Sequence, residues 1–220
     1  MRKKPLFVAL VVLASIATMG PAMAKPPTSD GGASGNISLT VHAHSSQFTD
    51  TLFPTSPLPF PVTEQSTGTY SSIPCSRPAP FNDTALDFTP DYPGIEDPAS
   101  VRHFVEATLT PTRGNMGTVE GEITTILCLD GEETENQLFI AFEGTYKQTG
   151  GEVRFTGTFE ITGGTGVFED ITGQGTITGA FTCLASREAT CAQLGVLSDA
   201  VFSLQGTFSD PTTESGRSNR

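Results

Sequence analysis

The stretch Gly157-Thr158-Phe159-Glu160-Ile161-Thr162-Gly163-Gly164-Thr165-Gly166-Val167-Phe168-Glu169-Asp170-Ile171-Thr172-Gly173-Gln174-Gly175-Thr176-Ile177-Thr178-Gly179 decides how this chain folds. On its left, Phe155, Gly157, Phe159 and Ile161 share one side of an extended segment, while Arg154, Thr156, Thr158 and Glu160 share the other. That period-two pattern belongs to a half-buried strand. On its right, Gly175, Ile177, Gly179 and Phe181 alternate with Thr176, Thr178, Ala180 and Thr182, which predicts a second strand. Between them, Gly163, Gly164 and Gly166 supply the positive φ angles of a tight reversal, and Phe168 and Ile171 give the returning chain something to bury.

The turn Gly163-Gly164-Thr165-Gly166-Val167-Phe168, with Gly173 after it, resembles the Gly-Gly-Thr-Gly-x-Phe turn of dirigent proteins and of the related allene oxide cyclase barrels. The likeness is specific over about twenty residues and is extended by strand rhythm alone over roughly 110 more. It implies a closed antiparallel barrel with an apolar lumen, self-association as a trimer, and a glycine turn that serves as a hairpin. Dirigent proteins carry Ala-Arg-Gly after the Phe. Here the matching place reads Asp170-Ile171-Thr172-Gly173, so the arginine is missing. A phosphate-cradling loop is disfavoured, because no helical pattern follows the glycines and no lysine sits among them.

Residues 1–24 read as a signal peptide. Arg2, Lys3 and Lys4 precede an apolar run from Leu6 to Ala17, and Ala22-Met23-Ala24 has the form of a cleavage site. Cleavage near Ala24 predicts a secreted chain of 196 of the 220 residues, and leaves nine basic residues against 24 acidic ones, a net charge of −15. Such a surface repels phosphate backbones and anionic lipids, which argues against nucleic acid and membrane partners. No Asp-x-Asp-x-Asp-Gly loop points to calcium. In an exported chain the four cysteines are expected as disulfides. Of the three pairings open to them, Cys75 with Cys128 and Cys183 with Cys191 are preferred, since a hairpin joins the latter across seven residues. No C-x-x-C pair suggests zinc.

Residues 25–35 are rich in Pro, Gly, Ser and Asp and read as a disordered lead. Ile37, Leu39, Val41 and Ala43 then mark a first strand. Residues 45–100 hold ten of the sixteen prolines, yet Phe48, Phe53, Phe60, Phe81 and Phe88 recur through them. This predicts a long ordered excursion, with one short strand near Thr67 to Ile73, lying over a barrel end and tied down through Cys75. Strands follow at Val101 to Leu109, ending at Thr110-Pro111, and at Val119 to Leu129. After an acidic turn at Asp130-Gly131-Glu132-Glu133 comes a strand from Leu138 to Lys147, and the last strand runs from Ala200 to Phe208. The segment Ala185 to Ser198 is the one modest helical candidate, and residues 211–220 are a polar tail. Gly144-Thr145-Tyr146, Gly157-Thr158-Phe159 and Gly206-Thr207-Phe208 repeat one step in three strands, where glycine lets the sheet curl.

The expected fold is therefore all-β, a single antiparallel barrel of about eight strands spanning residues 36–210. Phe142, Tyr146, Phe159 and Ile161 share the inward phase and are the candidate lining for a small apolar molecule. A cyclase or coupling guide is the enzymatic alternative, and a barrel filled by its own side chains is a third reading. His42 and His44, at i and i+2, make half of a metal site. They oppose the apolar face, so they read as surface histidines, and neither a metal nor another cofactor is expected. Glu106, Glu122 and Glu143 interrupt strands on the outward phase, and no Gly-x-Ser-x-Gly elbow marks a serine nucleophile. The sequons Asn36-Ile37-Ser38 and Asn82-Asp83-Thr84 matter only in a glycosylating host.

Overall fold

Alternating apolar residues from Val101 to Phe181 become five long strands, each paired antiparallel with the next across a short turn. The computed structural model describes residues 32–45, 55–75, 85–93, 95, 99–183 and 194–211. Among these the strands are β1 (Ala33–His44), β2 (Leu58–Pro59), β3 (Ser66–Ser71), β4 (Ala85–Thr89), β5 (Ala99–Arg113), β6 (Met116–Leu129), β7 (Glu132–Thr149), β8 (Glu152–Gly164), β9 (Thr172–Thr182), β10 (Val196–Leu197) and β11 (Asp199–Asp210). β11 pairs with both β9 and β1, and β1 is joined to β5 through β3 and β4. The sheet closes on itself as an eight-position antiparallel barrel.

The eighth position is shared. β4 pairs Asn36–Thr40 of β1 through Thr89–Ala85 and meets β5 at Ala99 and Ser100, while β3 pairs Phe104–Leu109 and touches β1 at His44. The proline-rich stretch thus supplies part of the wall as well as covering it. Ser66–Ser71 and Ala85–Thr89 contain no proline, which is why these two pieces can join the ladder. The neighbouring residues close over the barrel: Leu58 and Val62 are buried, and Gln148 clamps Val62 by donating from Nε2 to its carbonyl (2.8 Å) and accepting from its N–H (2.9 Å).

Several boundaries differ from the sequence expectation for identifiable reasons. Residues 33–35 of the expected lead are in β1, held by Asp210, Ser209 and Phe208 of β11. β5 runs through Pro111 to Arg113, because β3 begins its pairing at Leu109 and leaves the proline on an unpaired edge. The acidic turn contracts to Asp130-Gly131, both at positive φ (52° and 81°), and Glu132 and Glu133 join β7. β6 and β7 fall out of step between Ile126 and Cys128, where Ile126 is buried beside its register partner Arg102 and Leu129 is left 63% exposed at the strand's end. The glycine turn is a hairpin as expected, with Gly163 and Gly166 at positive φ and Phe168 and Ile171 fully buried. The cleavage segment and the polar tail from residue 212 lie outside the described residues, as does Ala185 to Ser198 up to residue 193. Its described end holds β10.

Cys75 and Cys128 are bonded, with Cα atoms 5.6 Å apart across 53 residues of sequence. Cys183 is half-buried, and its expected partner Cys191 lies outside the described residues. Closing so long a loop removes unfolded-chain entropy worth about 4 kcal/mol in the absence of strain. The double variant Cys75→Ala/Cys128→Ala should lose stability of about that order in urea denaturation, with little change in far-ultraviolet circular dichroism of the folded protein.

Candidate functional site

The interior is built by pairing rings with glycines across the ladder. Phe142 faces Gly121 on one side and Phe159 on the other, Phe159 faces Gly175, Phe155 faces Gly179, and Tyr146 faces Gly117. A side chain at Gly121 would place its Cβ 2.6 Å from the Phe142 ring, and one at Gly175 would lie 2.6 Å from the Phe159 ring. The rings lie over these glycines and reach into the lumen. Phe142, Phe155, Phe181 and Phe202 meet with centroids 5.1 to 5.9 Å apart, and Tyr70, from the shared eighth position, reaches Phe181 at 5.4 Å. At the glycine-turn end, Phe88, Tyr92, Phe168 and Phe208 form a second cluster.

The four candidate lining residues all face inward, as the alternation predicts. Phe142, Tyr146, Phe159 and Ile161 are 4%, 2%, 4% and 1% exposed, and they belong to one continuous core with the opposite wall. Tyr146 is the odd member. Its hydroxyl is buried and has no hydrogen-bond partner among the described residues, and burial pushes its pKa up. Tyr70, by contrast, donates to the Leu197 carbonyl (3.0 Å) and accepts from the Leu58 N–H (3.3 Å).

The outer wall carries a depression of about 1040 Å³ across β5 to β9 and β11. Glu106, Glu120, Glu122, Glu143 and Glu160 line it with threonines, and its floor is the glycine row Gly121, Gly175 and Gly206. Two cross-strand pairs there set like charges face to face, Glu106 with Glu122 and Glu120 with Glu143. Direct opposition of like charges costs stability. The three strand-interrupting glutamates of the sequence reading are thus neighbours on solvent, away from the apolar lumen.

Further along the wall, β1 and β11 bring His42, His44 and Asp199 together. His44 is the register partner of Asp199, and His42 lies two residues away on the same face. His42 Nε2 is 3.1 Å and His44 Nδ1 is 3.0 Å from the same oxygen, Oδ1 of Asp199. Burial raises the Asp199 pKa, but hydrogen bonding and charge from the two imidazoles more than offset it, and the carboxyl ends well below the usual range. Sequence reasoning found the histidine pair and missed the aspartate, which lies 157 residues from His42.

Two further polar residues are buried in β5, Arg102 against the alternation and His103, on the face of Val101 and Val105, in keeping with it. Arg102 is outward by alternation yet only 2% exposed, paired with Glu133 and stacked over Phe104 at 4.5 Å. His103 is fully buried at the seam between β3 and β4. Its N–H donates to Ser72 Oγ (2.8 Å), and its Nδ1 lies 3.0 Å from Thr125 Oγ1. Burial pushes the His103 pKa down to about 3, against a smaller opposing effect of the Thr40 backbone. Comparison with family models, with curated proteins and with solved structures returns no match for this chain.

Two measurements check the electrostatics. In the unfolded chain His103 takes up a proton below about pH 6.5, whereas the folded barrel refuses it until about pH 3. Its contribution to stability is therefore present above pH 6.5 and is lost as the pH falls between these values, by about 1.4 kcal/mol per pH unit. The urea midpoint should drop across this window, and less steeply in His103→Gln. Glu122→Gln should raise the midpoint at low salt by relieving Glu106, and added salt should shrink the gain.

Proposed function

We propose that the chain is an exported barrel of the allene oxide cyclase and dirigent-like kind that acts as an interaction or scaffold module, with its lumen filled by its own side chains. The packing of rings from strands two and three positions apart at 5 to 6 Å, within a continuous buried core, carries this reading, since a carrier or a cyclase needs room for a guest. The signal-like segment and the Cys75–Cys128 bond both fit an oxidising, extracellular destination. Among the described residues no helix is long and apolar enough to cross a membrane. Recognition then falls to the outer wall. None of the residues lining its depression is basic, so its charge favours cationic partners.

A second reading keeps a small apolar guest in the lumen, and the buried Tyr146 hydroxyl favours it. A hydroxyl buried without a partner costs about 1–3 kcal/mol, which a guest bearing a carbonyl would recover.

Native mass spectrometry of protein taken from its own culture fluid separates the two. The module reading expects the bare polypeptide mass, and the same spectrum tests the trimer that the resemblance implies. A co-purifying small molecule would restore the carrier. As a positive control, Phe159→Ala should lose about 3–5 kcal/mol of stability and gain binding of a small apolar probe such as benzene, because a dry cavity opens where the ring was.

A further inference from the structure

Two imidazoles and a carboxylate meet at one point on the wall, and nothing in the packed lumen or in the acidic depression accounts for them. Strand geometry sets the arrangement: residues i and i+2 of β1 point the same way, and the β1–β11 register puts Asp199 directly opposite His44. The donor atoms all lie within 4.8 Å of one another. The two nitrogen-to-oxygen separations of 3.1 and 3.0 Å are the edges expected when donors share a small ion. Bonds of about 2.0–2.2 Å set neighbouring ligand atoms about 3.0–3.5 Å apart.

We propose that His42, His44 and Asp199 form a binding site for a divalent first-row transition metal, Zn²⁺ in particular. Two imidazole nitrogens and one carboxylate oxygen suit zinc, nickel or copper, and do not suit calcium or magnesium, which take oxygen ligands. The scaffold is ordered by the ladder: β1 pairs β11 without a break from Ala33 to His44, and β11 is paired on its other side too, with Asp199 beside Thr182 of β9. Access is from solvent: the His42 side chain keeps 31% of its exposure, while those of His44 and Asp199 keep 13% and 11%. Three protein ligands leave a position for water or for a donor from a second molecule. The ion bridges β1 and β11, one of the joints that close the barrel, so its binding also stabilises the fold.

The test uses the untagged exported protein with its disulfide intact. Isothermal titration with ZnCl₂ should give saturable heat for one ion per chain, and zinc should raise the thermal midpoint where MgCl₂ and CaCl₂ do not. Asp199→Asn should weaken the heat, and His42→Ala/His44→Ala should abolish both the heat and the midpoint shift. Should a variant fold poorly, the wild-type protein still decides the matter by NMR, since the chain has three histidines. Zinc should move the ring signals of His42 and His44 and leave those of buried His103 in place. Unmoved imidazole signals would reduce the cluster to an ion pair, and zinc heat that persists in the double variant would place binding elsewhere. Either result overturns the proposal.

Discussion

The barrel depends on one steric exchange, in which each large ring that points inward is given the place of a side chain missing from the strand beside it. Phe142 takes the space over Gly121, Phe159 that over Gly175, and Phe155 and Phe202 both crowd Gly179. Without the glycines the rings would have to stand away from the wall, and an eight-position barrel has no spare interior to receive them. With them, the rings lie over the sheet and meet rings from strands up to three positions away. Gly144 and Gly157, which face each other across β7 and β8, let the two strands bend where the sheet curls.

This exchange also determines where chemistry can be. An interior consolidated by aromatic contacts leaves little polar apparatus inside, and the exceptions are informative. His103 is neutral there, held by Ser72 and Thr125 at the seam where β3 hands over to β4. Tyr146 brings a hydroxyl inward without a partner among the described residues. The outward phase of the same strands carries the charge, so the glutamate wall and the His42, His44 and Asp199 cluster follow from the alternation that fills the core.

The proline-rich stretch shows how a segment unsuited to sheet can still complete one. Its two proline-free pieces are too short to span the barrel singly, but end to end they bridge β1 and β5. The residues around them are fastened by side-chain hydrogen bonds from Gln148 and Tyr70 and by the Cys75–Cys128 bond. Arg102 is buried on the outer side of β5 with Glu133 for charge compensation.

Much of this was legible in the chain itself. Period-two alternation named the inward faces of β5, β7, β8 and β9, including Phe142, Tyr146, Phe159 and Ile161, and that of β6 as far as Thr125. The Gly163–Phe168 run announced its hairpin, and spacing suggested the Cys75–Cys128 bond. Alternation is a local property, and it does not say where the covered wall ends, as at Leu129, which it puts inward but which lies exposed beyond the Ile126/Cys128 shift. It also has no information about which distant strands become neighbours. Closure through β3 and β4, the burial of Arg102, the packing shut of the lumen and the arrival of Asp199 beside His42 and His44 were decided by the tertiary structure, because each depends on the register between strands far apart in sequence.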